Sequence, residues 1–179
     1  MTDATTTEVP PGGEGPGGGE EAETLHGAPL SSKGGQQVLH PSRDRYPEVV
    51  KTLKEEGFNF CVDVTAVDYL AHPGRRLPPG VKPERFELVV SLLSFEQRRR
   101  IRLRVQVPGA EPVVASLFRL YPGTDAMERE VFDMMGIRFE GHPDLTRILM
   151  PDDWEGHPLR KDYSVGKVPV EYKHLSPGH

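Results

Sequence analysis

The chain has 179 residues, of which 36% are hydrophobic and 27% are charged, so it can bury a real core as one domain with an accessory segment. Its single cysteine, Cys61, excludes an intramolecular disulfide framework and any zinc or iron–sulfur site built from several cysteines of this chain. The net charge of −5 lies wholly in residues 1–37, because the remaining residues hold 21 acidic and 21 basic side chains.

The sequence shows no segment that would span a membrane or direct export. Its longest apolar stretch, 88–93, is far below the ~20 residues that a membrane helix needs. The N-terminus has neither the basic region nor the apolar region of a secretory signal. We therefore expect a soluble protein in a reducing compartment.

Residues 1–37 differ in composition from the rest of the chain. They are mostly Gly, Pro, Thr and Glu, with consecutive glycines at 17–19. Such a segment cannot bury enough apolar area to offset the entropy lost on ordering, and we predict that it is disordered. The alternative, an acidic docking arm, is weakened by the scarcity of aromatic and aliphatic anchors in the segment.

The ordered part is predicted to begin with a short edge strand at 38–40, followed by a helix. Asp44 is the expected N-cap of this helix, and Gly57 stands where a C-terminal glycine ends one. The apolar residues that recur at helical spacing, and should form its buried face, are Tyr46, Val49, Val50 and Leu53.

Three strands are predicted next, at 58–69, 86–93 and 100–107. The residues of the first strand expected on one face are Phe60, Val62, Val64 and Ala66. The third strand alternates most clearly, with Ile101, Leu103, Val105 and Val107 against Arg100, Arg102, Arg104 and Gln106. The connection between the last two strands suits a hairpin, so one sheet face should be apolar and the arginines should lie on the other.

Two further helices are predicted before regular periodicity ends. Pro112 can start the first of them. The residues on its shared apolar face would be Val113, Val114, Leu117 and Phe118. Thr124 should cap the second helix and Gly136 should end it. From Ile137 onward we predict irregular structure.

These elements predict an α+β, two-layer domain in which a small, mainly antiparallel sheet is covered by helices. We divide the chain into a disordered Gly/Pro/Glu-rich tail at 1–37, the α+β domain at 38–136 and an irregular C-terminal extension at 137–179. The extension is rich in apolar anchors, and we expect it to lie against a partner protein. These anchors are Phe139, Leu145, Ile148, Leu149, Trp154, Tyr163 and Tyr172.

Three kinds of chemistry are weighed for the polar residues. A metal-dependent enzyme would use His142, Asp144, Asp152 and His157, which lack the i, i+3 or i+4 spacing of helical metal ligands. RNA binding would use an arginine row at 98, 99, 100, 102 and 104, but that sheet face lacks stacking aromatics. Cys61 lies among apolar residues and is interpreted as a packed side chain rather than a nucleophile. Composition and spacing thus predict no catalytic residue, cofactor or metal in this chain.

Residues 128–163 carry a family signature. From 128 to 145 they read Glu-Arg-Glu-Val-Phe-Asp-Met-Met-Gly-Ile-Arg-Phe-Glu-Gly-His-Pro-Asp-Leu. The stretch closely resembles the C subunit of proton-translocating NADH-quinone oxidoreductase, the 30 kDa subunit family of respiratory complex I. Further likeness at 57–60, 68–69 and 104–105 extends the resemblance over about 38–172, although Ser164 stands where the family commonly has proline.

The signature residues are predicted to form a partner interface. They are Glu128, Arg129, Glu130, Asp133, Gly136, Ile137, Phe139, His142, Pro143, Asp144, Leu145, Arg147, Leu149, Pro151, Trp154, Gly156, His157, Pro158, Arg160, Lys161, Asp162 and Tyr163.

The resemblance implies a non-catalytic subunit of the peripheral arm, on the cytoplasmic side of the inner or plasma membrane. It implies that NADH, FMN, iron–sulfur clusters and quinone are bound by other subunits. The large D subunit of the complex is the main implied partner, with the B and I subunits nearby and no nucleic acid. The chain would scaffold the D subunit near the quinone site while the complex passes electrons from NADH to quinone.

Two alternatives stay open beside this interpretation. The chain could be the equivalent subunit of a related membrane-bound hydrogenase or of a quinone oxidoreductase with another electron donor. It could also be the stand-alone metal-dependent enzyme described above.

Overall fold

The computed structural model describes residues 23–164, so the predictions for residues 1–22 and for the end of the extension, including Tyr172, lie outside the described residues. Within this range, eight strands, two α-helices and one short 3-10 turn follow one another. Their bounds are β1 Thr24–Leu25, β2 Ala28–Lys33, β3 Gln36–Leu39, α1 Tyr46–Glu55, β4 Phe60–Asp68, β5 Phe86–Ser94, β6 Arg99–Val107, β7 Val113–Ala115, the 3-10 turn Pro122–Thr124, α2 Asp125–Met135 and β8 Arg138–Glu140.

Six strands form one sheet in the order β1-β2-β3-β6-β5-β4, and every neighbouring pair is antiparallel except β3 and β6. The β5–β6 hairpin pairs Phe86 with Val107 and Ser94 with Arg99. Because side chains alternate along a strand, this register places all the predicted apolar positions of β5 and β6 on one face, and they are buried. The predicted α+β fold with a mainly antiparallel sheet is confirmed.

The helices and the apolar sheet face share one core. The four predicted apolar residues of α1 are buried, which confirms the helical periodicity. Tyr46 also donates a hydrogen bond to the carbonyl of Ala115, and Tyr121 donates one to the carbonyl of Phe58 over 2.7 Å. The Tyr46 hydroxyl thus connects α1 to β7, and the Tyr121 hydroxyl connects the segment before the 3-10 turn to the segment before β4, while both rings add apolar area to the core.

The start of the ordered part was predicted wrongly. Residues 24–37 form β1, β2 and the first half of β3, whereas their composition predicted a disordered tail. The segment is ordered because β3 pairs in parallel with β6, with Val38 opposite Arg102. Backbone hydrogen bonds to a preformed sheet compensate for the low apolar content of this segment.

The predicted face of β4 is only half correct. Val64 and Ala66 are buried, but Phe60 and Val62 are exposed. A β-bulge between Cys61 and Asp63 is the cause, since an extra residue in one strand reverses which side chains face the core.

The helix predicted from Pro112 is also wrong. Residues 113–115 form β7, which pairs in parallel with β8, and Val114 lies opposite Phe139. A short run of apolar residues fits either period, and here a tertiary pairing decides the outcome. The strand β8 likewise interrupts the extension predicted to be irregular from Ile137.

The predicted helix caps are partly wrong as well. Arg45 rather than Asp44 is the N-cap residue of α1, and neither Arg45 nor Thr124 makes a side-chain capping hydrogen bond. The glycine at the end of α2 is confirmed, because Gly136 adopts the left-handed conformation with φ 71°.

No helix within residues 23–164 is both long enough and apolar enough to cross a membrane.

Candidate partner-binding surface

Residues 141–164, called here the C-terminal segment, are fixed to the domain mainly by one carboxylate of α2. The Asp133 side chain is fully buried, and its Oδ1 accepts a hydrogen bond from Arg147 Nη1 over 2.5 Å. Its Oδ2 accepts three from successive backbone N–H groups, at Ile148 over 3.1 Å, Leu149 over 2.8 Å and Met150 over 2.8 Å. Three converging amides form an anion-binding nest, so one side chain sets the path of the chain from 147 to 150.

This nest keeps Asp133 ionised. Burial alone would raise the pKa of Asp133, but the amides of Met150, Leu149 and Ile148 and the Arg147 guanidinium outweigh it, and the pKa lies below its usual value. Each of these donors bonds the charged carboxylate more strongly than the neutral acid. The ionised form and the ordered segment therefore stabilise each other.

The C-terminal segment also caps α2. The carbonyls of the last turn of a helix have no partner inside the helix. Here His157 Nδ1 donates to the Asp133 carbonyl over 2.8 Å, and the Leu159 N–H donates to the Met134 carbonyl over 3.0 Å. Arg160 Nε donates to the Met135 carbonyl over 2.7 Å. A cation at the negative end of the helix dipole adds to this stabilisation.

Gly136 is required at this helix end for a second reason besides its left-handed φ. A Cβ there would collide with Arg160 Nη2 and would lie 2.5 Å from the His157 ring. The His157 and Arg160 side chains thus occupy the space above Gly136, and any larger residue would displace them.

A second clamp holds the far end of the segment. Asp68, at the end of β4 with its side chain fully buried, accepts hydrogen bonds from Arg85 Nη2 and from the Lys161 N–H, each over 2.9 Å. Arg85 Nη2 also lies 2.8 Å from Asp162 Oδ1. Burial alone would raise the pKa of Asp68, but Arg85 and the amides of Lys161 and Leu70 lower it below its usual value.

The two buried carboxylates of α2, Glu128 and Asp133, bind different parts of the chain. Glu128 faces its own domain, where it accepts hydrogen bonds from the Leu117 N–H over 2.7 Å, Ser116 Oγ over 2.5 Å and Thr124 Oγ1 over 3.0 Å. Burial raises the pKa of Glu128, and these hydrogen bonds only partly oppose the rise. Arg129 faces the C-terminal segment and donates to the carbonyls of Thr146 and Arg147 over 3.2 and 3.1 Å.

The segment that these contacts fix still presents apolar side chains to solvent. Ile148 is 41% exposed, Leu149 58% and Leu159 49%. We call these three residues the docking surface. Asp133 binds the backbone amides of Ile148 and Leu149. Their backbone is therefore held in place while their side chains project outward. Exposed apolar groups on a fixed backbone are typical of a protein–protein interface.

The structure divides the predicted interface residues into buried, exposed and half-buried groups. Gly136, Ile137 and Phe139 are buried in the domain, as are Glu128 and Asp133, so the prediction that Phe139 anchors a partner is wrong. Phe139 is buried because β8 pairs with β7 and turns its ring inward. The signature residues that remain exposed are Glu130, Pro143, Asp144, Leu149, Pro151, Gly156, Lys161 and Asp162.

The other signature residues are half-buried. Leu145 packs against the core of the domain itself, so it is not a free anchor either. Tyr163 lies against Gly156, where a Cβ would come within 3.0 Å of its ring. The indole Nε1 of Trp154 is buried without a hydrogen-bond acceptor among residues 23–164.

The residues proposed for a metal enzyme do not come together. Among residues 23–164, no group of three His, Cys, Asp or Glu side chains has a geometry that could hold a metal ion. His157 Nδ1 is occupied by the Asp133 carbonyl, and the His142 side chain is buried against Phe118 with its Nε2 3.5 Å from Asp125. Cys61 packs against the core, and burial raises the pKa of its thiol to about 12, which confirms a packed residue.

Sequence reasoning missed one part of the site, the clamp at Arg85. Asp68 was noticed for its family resemblance, but its partners Arg85 and Lys161 lie far away in the chain. No local pattern connects these residues, and only the fold brings them together.

Comparison with known proteins identifies the family. A sequence profile described as "Respiratory-chain NADH dehydrogenase, 30 Kd subunit" matches residues 39–169. The C subunit of NADH-quinone oxidoreductase from Mycobacterium avium (strain 104) is 46% identical over 139 residues, which cover 76% of this chain and 55% of the relative. The C subunit from Mycobacterium tuberculosis (strain ATCC 25618 / H37Rv) matches equally well, at 46% identity over 139 residues. The chain spans about half the length of the curated relatives it matches.

Two solved structures share the fold. A trypsin-resistant fragment of Nqo5 is 37% identical with a TM-score of 0.60, covering 66% of this chain and 90% of the fragment. A chain of the membrane-bound sulfane sulfur reductase, an archaeal respiratory membrane complex, is 23% identical with a TM-score of 0.64, covering 77% of this chain and 78% of that one. The second likeness shows the fold alone. From the profile and the curated relatives together, the chain belongs to the 30 kDa subunit family of the respiratory-chain NADH dehydrogenase.

Proposed function

We propose that this chain is the C subunit of a proton-translocating NADH-quinone oxidoreductase and serves as a non-catalytic scaffold in its peripheral arm. The family membership and the names of relatives at 46% identity support this proposal. NADH, FMN, iron–sulfur clusters and quinone would be bound by other subunits. The chain would lie on the cytoplasmic side of the membrane, held there by the complex.

The observation that carries the proposal is the pairing of a fixed backbone with exposed apolar side chains. Asp133 holds the amides of Ile148 and Leu149, while their side chains are 41% and 58% exposed. Apolar side chains that an ordered backbone holds in water do not stabilise the isolated chain. A partner that covers them gains apolar burial, and the entropy of ordering the segment has already been lost.

The size of the effect fits a specific interface. Full burial of an aliphatic side chain stabilises by about 1.5–3 kcal/mol, and the docking surface offers three such side chains that are partly exposed. A few central apolar contacts of this kind often dominate the free energy of an interface. The family signature also contains exposed charged residues, Glu130, Asp144 and Lys161, and a polar rim is common around the apolar centre of an interface.

The D subunit is the partner that we propose for the docking surface, with the B and I subunits nearby. In this arrangement the chain reacts with neither NADH nor quinone. It would fix the position of the D subunit, so that electron transfer to quinone depends on this chain only through the geometry of the assembly.

Co-purification tests the proposal. A tagged chain with Ile148→Ser and Leu149→Ser, expressed with the remaining subunits, should recover less of the D subunit, identified by mass spectrometry. Its far-UV circular dichroism should match that of the unaltered chain, because neither side chain belongs to the core.

The matched control is Phe95→Ser. Phe95 is 64% exposed in the turn between β5 and β6, at the opposite end of β5 from the clamp at Arg85. It should leave the recovery of the D subunit unchanged. Full recovery of the D subunit by the double variant would contradict the proposed docking surface. Co-purification without any NADH-oxidising subunit would instead favour the alternative of a related complex with another electron donor.

A further inference from the structure

One group of positive charges in this molecule is not paired with negative charges of the described residues. A shallow depression of about 650 Å³ is lined by the turn between β2 and β3 and by the start of β6. Its arginines, which we call the arginine patch, are Arg98, Arg99, Arg100 and Arg102. Among the residues that the structure describes, no aspartate or glutamate lines this depression.

The contrast with the next arginine of the same row is informative. Arg104 Nε lies 2.6 Å from Oε1 of the buried Glu87, so its charge is neutralised inside the sheet. None of the four patch arginines forms an ion pair with a carboxylate of residues 23–164. Within the described part of the chain, Arg99 has only the amide oxygens of Gln37 and Gln97 as acceptors, and Arg102 Nε is buried without an acceptor. Four like charges this close together repel each other unless an anion lies between them.

Residues 1–22 carry the complementary charge. They contain no lysine or arginine and five carboxylates, at Asp3, Glu8, Glu14, Glu20 and Glu21. Together with Glu23 they account for the acidic imbalance of the chain. The patch and this acidic segment therefore match in sign and nearly in number.

The first described residues lie at the end of β1 that faces the patch. The carbonyl of Glu23 accepts a hydrogen bond from the Leu30 N–H over 2.7 Å, and Thr24 lies opposite Pro29. Because β1 and β2 are antiparallel, the N-terminal end of β1 at Glu23 faces the direction in which β2 runs, toward Gly34 and Gly35. These two glycines line the depression, about 13 Å further along at 3.3 Å per residue.

We propose that the acidic segment 1–22 occupies the arginine patch of its own chain. Ten extended residues span up to about 33 Å, so Glu14, Glu20 and Glu21 can all reach the patch. Tethering gives the segment an effective concentration in the millimolar range, and weak ion pairs then suffice to hold it. The bound segment would shield the patch from other polyanions. RNA is the less suitable occupant, because no aromatic side chain lines the depression for bases to stack on.

The first experiment measures proximity in the purified full chain. A spin label at Gly13→Cys, in a Cys61→Ala background, should broaden the amide resonances of Gly34, Gly35 and Arg98 to Arg102. Replacing Glu8, Glu14, Glu20 and Glu21 by Gln should abolish most of this broadening, and so should ~1 M salt, where the Debye length is about 3 Å. The matched control removes the same charge elsewhere, with Glu48→Gln, Glu55→Gln, Glu140→Gln and Asp153→Asn, and should keep the broadening. Equal broadening with and without the acidic side chains would overturn the proposal.

The second experiment measures competition, with a ten-nucleotide uridine RNA as the polyanion probe. The variant with the four neutral residues in segment 1–22 should bind this RNA about three- to tenfold more tightly than the unaltered chain at low salt. Arg100→Gln with Arg102→Gln should remove the gain. Unchanged affinity on neutralising the segment, whether the unaltered chain binds the RNA tightly or not at all, would overturn the proposal.

Discussion

The core of the domain and the C-terminal segment are held together by different forces. In the core, both helices and the inner sheet face bury apolar side chains against each other, and residues such as Leu103 are completely inaccessible. In the segment 141–164 few side chains are buried, such as that of His142, and its order rests mainly on hydrogen bonds to Asp133, Asp68 and the end of α2. Apolar burial is spread over many contacts, whereas the polar contacts are few and directional. The core should therefore lose stability gradually with substitution, and the segment should be lost through single polar changes.

Trp154 offers a way to separate the two regions. It is the only tryptophan of the chain and it lies in the segment, so its fluorescence reports on the segment, while far-UV circular dichroism reports on the sheet and helices. Coincident transitions in both signals would mean that the two regions unfold as one unit.

The largest effect is expected from Leu103→Ala in the centre of the sheet. Leu103 is 0% exposed, and a buried Leu→Ala substitution costs about 2–5 kcal/mol through lost burial and the cavity left behind. Urea unfolding should show this loss in the circular dichroism transition. Fluorescence should shift together with it, because the segment cannot stay ordered without the core. A change confined to Trp154 would contradict the division between the regions.

Asp133→Asn should have the next largest effect, and only on the segment. The neutral Asn amide is a weaker acceptor than the carboxylate for three backbone N–H groups and Arg147, and the half-buried Arg147 would lose its counter-charge. The expected cost is about 2–4 kcal/mol of local stability. Trp154 fluorescence and hydrogen exchange at Ile148, Leu149 and Met150 should show it, with little change in circular dichroism. Asp144→Asn, at an exposed carboxylate of the segment, is the control and should have no effect.

Gly136→Ala should destabilise the same junction by about 1–2 kcal/mol. The left-handed φ of 71° disfavours a side chain, and the new Cβ would collide with His157 and Arg160. Exchange of the Leu159 amide, which donates to Met134, should increase. The control Gly123→Ala places its Cβ in open space and should leave that amide protected.

Acidification should loosen the segment before the core. Because hydrogen bonds and Arg partners hold the pKa values of Asp133 and Asp68 low despite burial, their stabilisation is complete above the unfolded pKa of about 3.9 and is lost as the pH falls through the folded values. Burial lowers the pKa of His157, so its contribution begins to fall already near pH ~6.5, where the unfolded chain takes up the proton first. A titration from about pH 7 to pH 3 should change Trp154 fluorescence at higher pH than circular dichroism.

The smallest effect is expected for Glu128→Gln. Burial raises the pKa of Glu128, which means that the folded state disfavours its charge. A neutral amide still accepts from the Leu117 N–H and can bond the hydroxyls of Ser116 and Thr124, so the cost should stay below about 1 kcal/mol. Thermal unfolding should show a shift of a few degrees at most. A loss as large as that of Asp133→Asn would show that charge matters equally at both positions.

Local periodicity predicted the buried residues correctly where one period dominates. The alternation along β5 and β6 and the helical spacing in α1 predicted the buried residues correctly, and Gly136 marked the end of α2. It failed at 113–115, where a short apolar run fits both periods and the pairing with β8 decides. It also failed at 24–37, where Gly34 and Gly35 mark a hairpin turn but the strands contain few apolar residues.

The same division applies to the functional surface. The signature at 128–163 was sufficient to recognise the family, and the apolar character of Ile148 and Leu149 is visible in the sequence. Only the fold shows that Asp133 binds the C-terminal segment, that Glu128 binds its own domain and that Phe139 lies in the core. Local periodicity determines which face of a helix or strand is apolar, because it depends on neighbours in the chain. The partner of a buried charge lies tens of residues away, and only the tertiary structure decides which of the available donors it meets.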